Sequence, residues 1–171
     1  MKLLITGQPG SGKTTLCQKV VEGLKDKIQI GGFVSGEIRE GGIRKGFMIK
    51  DVGSGVKGIL AHVDHKTGPR VGKYRVNLDD LNAIGVGAIN RALGDCDLVI
   101  IDEIGPMELY SEEFVKAVKD AFSSEKHVIA SIHFRTKKRL LKRLRLKEIP
   151  IRVIEEGNRE VLLEEIVEKF D

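Results

Sequence analysis

The stretch that most restricts the fold is Gly7-Gln8-Pro9-Gly10-Ser11-Gly12-Lys13-Thr14, a match to GxxxxGK[ST], the Walker A pattern. The pattern works in one setting only. A strand must lead into it and a helix must leave it, so that glycines wrap the loop closely and successive backbone N–H groups point inward at phosphate oxygens. The flanks meet this demand. Lys2 to Thr6 reads as a short buried strand, and Lys13 to about Leu24 as a helix with Leu16, Val20, Val21 and Leu24 on its inner face. That helix adds the positive end of its dipole. Lys13 can reach the β and γ phosphates, and the Thr14 hydroxyl can ligate Mg2+. Gly7, Gln8, Pro9, Gly10, Ser11, Gly12, Lys13, Thr14 and Thr15 are therefore the candidate nucleotide-binding residues.

A second site follows about ninety residues later. Leu98-Val99-Ile100-Ile101-Asp102-Glu103 is an apolar run ending in two carboxylates, the Walker B pattern. A buried parallel strand would carry Asp102 to the carboxyl edge of the sheet, on the strand neighbouring the first, to hold Mg2+ directly or through a water on Thr14. Glu103 is placed to orient and deprotonate an attacking water. Lys13 and Glu103 are the catalytic candidates, and Thr14 and Asp102 the metal ligands. Glu108 reads as a solvated acid at a helix start. A charge-neutralising arginine could come from Arg39, Arg44, Arg70 or Arg135, all in loops or at strand ends, with Arg39 and Arg44 leading. His133 ends a Val128–His133 strand at the same edge, either holding the γ-phosphate or the attacking water, or serving as a structural histidine.

Elsewhere the periodicity gives strands over Ile28–Ile38, Ile43–Lys50 and Val56–His62. Eleven of the 20 glycines fall between Gly31 and Gly72, in the turns that would join such strands. Helical spacing covers Leu78 to Ala92 in spite of Gly85 and Gly87, then the segment opened by Ser111, then Thr136–Lys147 and Asn158–Phe170, with a strand over Ile151–Ile154. The expectation is an α/β domain spanning 1–171, its sheet mostly parallel with helices on both faces plus antiparallel hairpins. With 171 residues, 41% of them hydrophobic, the chain can bury a real core without disulfides. No apolar run is long enough for a membrane span, and the glycine-rich loop leaves no room for a signal peptide. Cys17 and Cys96 lack metal spacing and read as reduced thiols of a cytoplasmic protein, with no membrane partner and a monomer expected. Arg135–Lys147 holds eight basic residues among thirteen. An amphipathic helix with a solvated basic face is preferred there over a nucleic-acid or phosphate-contacting surface and over a lid on the nucleotide.

Four stretches carry a more specific likeness: Gly7–Leu16 (GQPGSGKTTL), Gly32–Phe47 (GFVSGEIREGGIRKGF), Leu98–Leu109 (LVIIDEIGPMEL) and Ile129–His133 (IASIH). With Asn158-Arg159-Glu160 as a weaker fifth, the chain resembles, over nearly its whole length, the THEP-type nucleoside-triphosphatase family. That family is known from thermophilic prokaryotes and, in animals, as cancer-related nucleoside-triphosphatase. The resemblance implies a RecA-like P-loop core and Mg2+-dependent hydrolysis of ATP, GTP and other nucleoside triphosphates, with loose base preference. It also brings Asn158 and Arg159 forward as nucleotide-contact candidates. The chain departs from the family pattern at Ser35-Gly36, where a threonine is expected, and at Glu155-Glu156-Gly157 before Asn158. Two other readings stay open: a nucleotide or small-molecule kinase, and a nucleotide-switched nucleic-acid-binding ATPase. Glu103 favours water as acceptor.

Overall fold

In the computed structural model, which describes residues 1–171, nine strands form one sheet. In chain order they are β1 (Lys2–Thr6), β2 (Ile30–Glu40), β3 (Ile43–Asp51), β4 (Lys57–His62), β5 (Arg70–Val71), β6 (Tyr74–Val76), β7 (Leu98–Ile104), β8 (His127–Ile132) and β9 (Ile151–Val153). Across the sheet the order is β5-β6-β4-β3-β2-β7-β8-β1-β9. Neighbours from β2 to β9 run parallel. Those from β2 out to β5 run antiparallel, so the hairpins of the middle segment extend the parallel sheet. No helix is long and apolar enough to cross a membrane.

The helices are α1 (Lys13–Leu24), α2 (Leu78–Asp80), α3 (Gly87–Asp95), α4 (Glu112–Ser123), α5 (Lys137–Leu144) and α6 (Arg159–Val167). Alternation along the parallel strands sorts side chains to two cores. Leu98, Ile100 and Ile129 face Leu16, Val20, Leu162 and Ile166 of α1 and α6. Val99, Ile101 and Ala130 face Ile89, Phe114, Val118 and Leu140 of α3, α4 and α5. Burial on both faces explains why β7 is a continuous apolar run.

Four details differ from the sequence reading. The strand carrying Asp102 does not neighbour β1, because β8 lies between them: Ile129 stands opposite both Leu3 and Ile100, and Ala130 opposite both Leu4 and Ile101. The helix expected over Leu78–Ala92 is broken by a π-helical turn at Leu81–Val86. Strands β5 and β6, of two and three residues, are too short to leave a period. The basic helix stops at Leu144, closed by Arg145 at φ 58, while Leu140 and Leu144 pack into the core, as an amphipathic helix requires.

One glycine decides whether β2 can lie against β7. Gly32 has φ 95, and a Cβ there would stand within 3.0 Å of the N, C and O atoms of Ile100. Gly41, in the β2–β3 turn, also has positive φ (57) but open space around it. Gly32→Ala is therefore expected to cost more than about 2 kcal/mol, against about 1 kcal/mol for Gly41→Ala. Denaturant midpoints of the two variants check this, and equal losses would remove the steric argument.

Candidate active site

β1 ends at Thr6, whose buried hydroxyl donates to the Ile132 carbonyl at 2.9 Å and so ties the end of β1 to the end of β8. The chain then turns through Gly7–Gly12 into α1. Gly12 sits at φ 97, a conformation side chains rarely adopt. A Cβ there would also meet the Arg159 guanidinium at 2.8 Å. No side chain caps α1, and its first turn holds no acid. The contrast with α4 is plain: there the Ser111 hydroxyl accepts from the Phe114 N–H at 3.0 Å, and Glu112 and Glu113 occupy the first turn. The first N–H groups of α1 are thus left for an external anion. Lys13 folds over the loop, donating to the Gly7 carbonyl at 3.0 Å and to that of Gln8 at 3.4 Å.

The acidic side of the site comes from β7. Asp102 is fully buried. Its Oδ1 accepts from the Ser131 hydroxyl at 2.5 Å, and its Oδ2 from the Ser35 N–H and hydroxyl, each at 3.4 Å. Burial raises its pKa above the ordinary aspartate value, and the hydrogen bonds from Ser131, Thr14 and Ser35 oppose that rise. Glu103 follows, across a cis peptide. Its Oε2 lies 3.9 Å from Lys13 Nζ. Burial pushes its carboxyl to about 7, with Lys13 lowering it and Asp102 raising it.

Glu108 overturns its sequence reading. It is buried, in a 3₁₀ turn (Glu108–Tyr110), and its Oε2 accepts from the Gly105 N–H at 3.0 Å. Burial, with Glu103 beside it, raises its carboxyl to about 8. The Gly-Pro-Met segment turns the chain back on itself, which places Glu108 under the site instead of in solvent. His133, just past β8, accepts or donates at Nδ1 with the Thr136 hydroxyl (3.1 Å). Its pKa is lowered by burial and by the neighbouring Lys13 and Arg135 charges.

Glu103, Glu108 and His133 line one cleft of ≈ 510 Å³ with the loop, while Asp102 is not on its wall. The loop residues Gly7, Pro9, Gly10, Gly12, Lys13, Thr14 and Thr15 form one wall, and Glu103, Glu108, His133 and Arg135 lie across from them. Arg44 reaches the cleft from β3, held by the Tyr74 hydroxyl (2.8 Å) and Glu37 (3.2 Å). Arg39 and Arg70, two other candidates, do not line it; the Arg39 guanidinium binds Glu37 and the Gly42 carbonyl. Asn158 ties down the turn after β9, accepting from the Glu155 N–H (3.0 Å) and donating to the Val153 carbonyl (2.9 Å). Arg159 lies over Gly12 at the back of the loop. Ser11 and Gln8 are not on the cleft wall, and the Ser11 hydroxyl is buried without a partner.

Sequence reasoning missed Ser131 and the inward turn of Glu108, and read Ser35 only as a departure from a pattern. The IASIH and DEIGPMEL stretches held the signal, but nothing in their spacing says which hydroxyl meets which carboxylate. The donors Thr14, Ser35, Ser131 and Asp102 are all oxygen, a set suited to a hard divalent cation.

A profile of the NTPase family matches residues 2–167. The nucleoside-triphosphatase THEP1 of Methanosarcina acetivorans is 46% identical over 172 residues, covering 99% of this chain and 97% of its own. That of Archaeoglobus fulgidus is 46% identical over 166 residues, covering 97% and 96%. The crystal structure of THEP1 from Aquifex aeolicus superposes with a TM-score of 0.87 at 33% identity, covering 100% of this chain and 99% of that one. The solution structure of a human cancer-related nucleoside triphosphatase gives 0.78 at 33% identity, over 98% and 96%. With the family profile, the sequence identity and the superposition each extending over nearly the full length, the chain belongs to the THEP1 nucleoside-triphosphatase family of P-loop NTPases.

Proposed function

We infer that this chain hydrolyses nucleoside 5′-triphosphates to the diphosphate and phosphate, with Mg2+ and with little regard to the base. The observation that carries this reading is the pairing, in one cleft, of an uncapped helix N-terminus and Lys13 with Glu103, behind which Asp102 is buried. Free amides and an ammonium bind a triphosphate through its phosphates, whatever base it carries. This supports a broad range of substrates. Thr14 and Asp102 are the residues that would hold the cation, and the buried aspartate would then keep its charge opposite a compensating one. Bound there, Mg2+ neutralises phosphate charge that builds as the terminal group leaves.

The chain's own groups do the rest. Lys13 trades its contacts with the Gly7 and Gln8 carbonyls for phosphate oxygens. Glu103 takes the proton of the attacking water; a base whose pKa lies near the working pH is suited to that task. His133, neutral in this setting, orients the water or the terminal phosphate. Arg44 and Arg135 are the cationic groups of the cleft that can meet charge in the transition state. The continuous nine-stranded sheet supports reading 1–171 as one domain.

Three variants test the assignments. Glu103→Gln should bind Mg-nucleotide with near-normal affinity while turnover falls by about 10²–10⁴, and normal turnover would take Glu103 out of the mechanism. Lys13→Ala removes a charged hydrogen-bond donor and should weaken triphosphate binding by about 10- to 100-fold by calorimetry, with turnover falling too. Glu108 gives a pH test of stability. Between its ordinary 4.5 and about 8 the folded protein keeps a proton that the unfolded chain releases, so this residue lowers stability as pH rises through that window. Glu108→Gln should therefore gain a few degrees in Tm over the parent at pH 8 but not at pH 5. A constant difference in Tm would mean that Glu108 is ionised in the fold.

A further inference from the structure

A hydrolase needs room for one water on the side of the γ-phosphate that faces its base, about 30 Å³. Here the cleft has further lining residues on that side, from strands that lie beyond β7 as seen from β1. The amides of the loop and Lys13 fix where the phosphates lie, and Glu103 marks the face from which the nucleophile must approach. Beyond Glu103, away from the loop, the cleft continues under the antiparallel extension of the sheet. Its walls there are Phe47, Leu60 and Val71, with Arg44 and Glu37 as polar groups. Arg44 lies 5.1 Å from the Phe47 ring centroid and 5.8 Å from that of Tyr74, and Glu37 and the Tyr74 hydroxyl hold it there. An apolar floor with a fixed guanidinium and a carboxylate at its rim suits a flat, hydrogen-bonding ring.

Val71 and Pro106 also line a second cleft, of ≈ 420 Å³, whose other walls include Arg70, Arg139, Arg143 and Tyr110. Arg143 is paired with Glu112 at 2.7 Å, while Arg70 and Arg139 carry no ion pair. Tyr110 is exposed beside them. Two unpaired guanidinium groups next to the outlet of an apolar chamber suit an anionic group on whatever fills the chamber.

We propose that this chamber is an acceptor subsite for a nucleoside 3′-phosphate: its ring lies against Phe47, Leu60 and Val71, its 3′-phosphate meets Arg70 and Arg139, and its 5′-hydroxyl faces Glu103. This rests on reading the loop side of the cleft as the triphosphate site. In the transfer, the 5′-oxygen forms a bond to the γ-phosphorus, and the bond from that phosphorus to the β–γ bridging oxygen breaks. The electron pair stays on the departing nucleoside diphosphate, and the hydroxyl proton passes to the Glu103 carboxylate. Hydrolysis is the same displacement with water standing in for the absent acceptor.

The test uses the full chain with Mg2+ and γ-labelled ATP, alone, with each of the four common ribonucleoside 3′-monophosphates, or with the matching unphosphorylated nucleosides. Label should enter the 3′-monophosphates to give 3′,5′-bisphosphates, about tenfold faster than it enters the nucleosides, while free phosphate falls. Arg70→Glu with Arg139→Glu should abolish that preference and leave phosphate release from ATP alone unchanged, since neither side chain lines the triphosphate side. Undiminished phosphate release with label in none of the eight compounds overturns the acceptor subsite and leaves the hydrolase standing. Equal labelling of phosphorylated and plain nucleosides overturns the assignment of the arginine cleft. Absence of phosphate release from ATP alone would instead sink the underlying reading of the site.

Discussion

Burying a carboxylate is one of the costlier things a fold can do, and Asp102 sits at the centre of this one. The surrounding structure is arranged to tolerate it. Ser131 comes from β8, Ser35 from β2 and Thr14 from the start of α1, so the hydroxyls that favour its charged form arrive from both sides of β7 and from the phosphate loop. Burial still outweighs them, so a positive charge close to Asp102 would favour its charged form. A divalent ion carried by a polyphosphate would supply one, and Lys13 would answer the phosphates.

That arrangement depends on sheet order. Because β8 lies between β1 and β7, the loop and the acidic pair are one strand apart, and Ser131 and His133 fall in the gap. The matched register across Leu4, Ala130 and Ile101 ends all three strands at the same edge, where the loop, Glu103 and His133 share one opening. The antiparallel extension then does a different job. It carries Arg44, Phe47 and Leu60 over the far side of Glu103 and gives the cleft more length than a water molecule needs.

Much of this was readable beforehand, and for a reason that differs by residue. Gly7 to Thr15 are nine consecutive positions, so the loop's pattern can be read from spacing alone. Asp102 and Glu103 were legible because a strand buried on both faces has no polar residues until it reaches the edge of the sheet. Glu108 was misread because acids near a helix start are commonly solvated, and only the turn at Gly105-Pro106-Met107 directs this one inward. Arg39 and Arg44 were indistinguishable in sequence: they stand opposite each other in the β2–β3 hairpin and share Glu37, and only their other contacts separate them, Arg39 binding the Gly42 carbonyl of the turn and Arg44 the Tyr74 hydroxyl at the cleft.

The sequence by itself determined the α/β class, the phosphate loop, the acidic pair and the family, because each is written in contiguous residues whose chemistry needs no distant partner. Only the tertiary structure decided which hydroxyls surround Asp102, which arginine reaches the cleft, and how far that cleft runs past Glu103. Those are contacts between segments tens of residues apart, and they are fixed by strand order and register, which a single chain's periodicity does not encode.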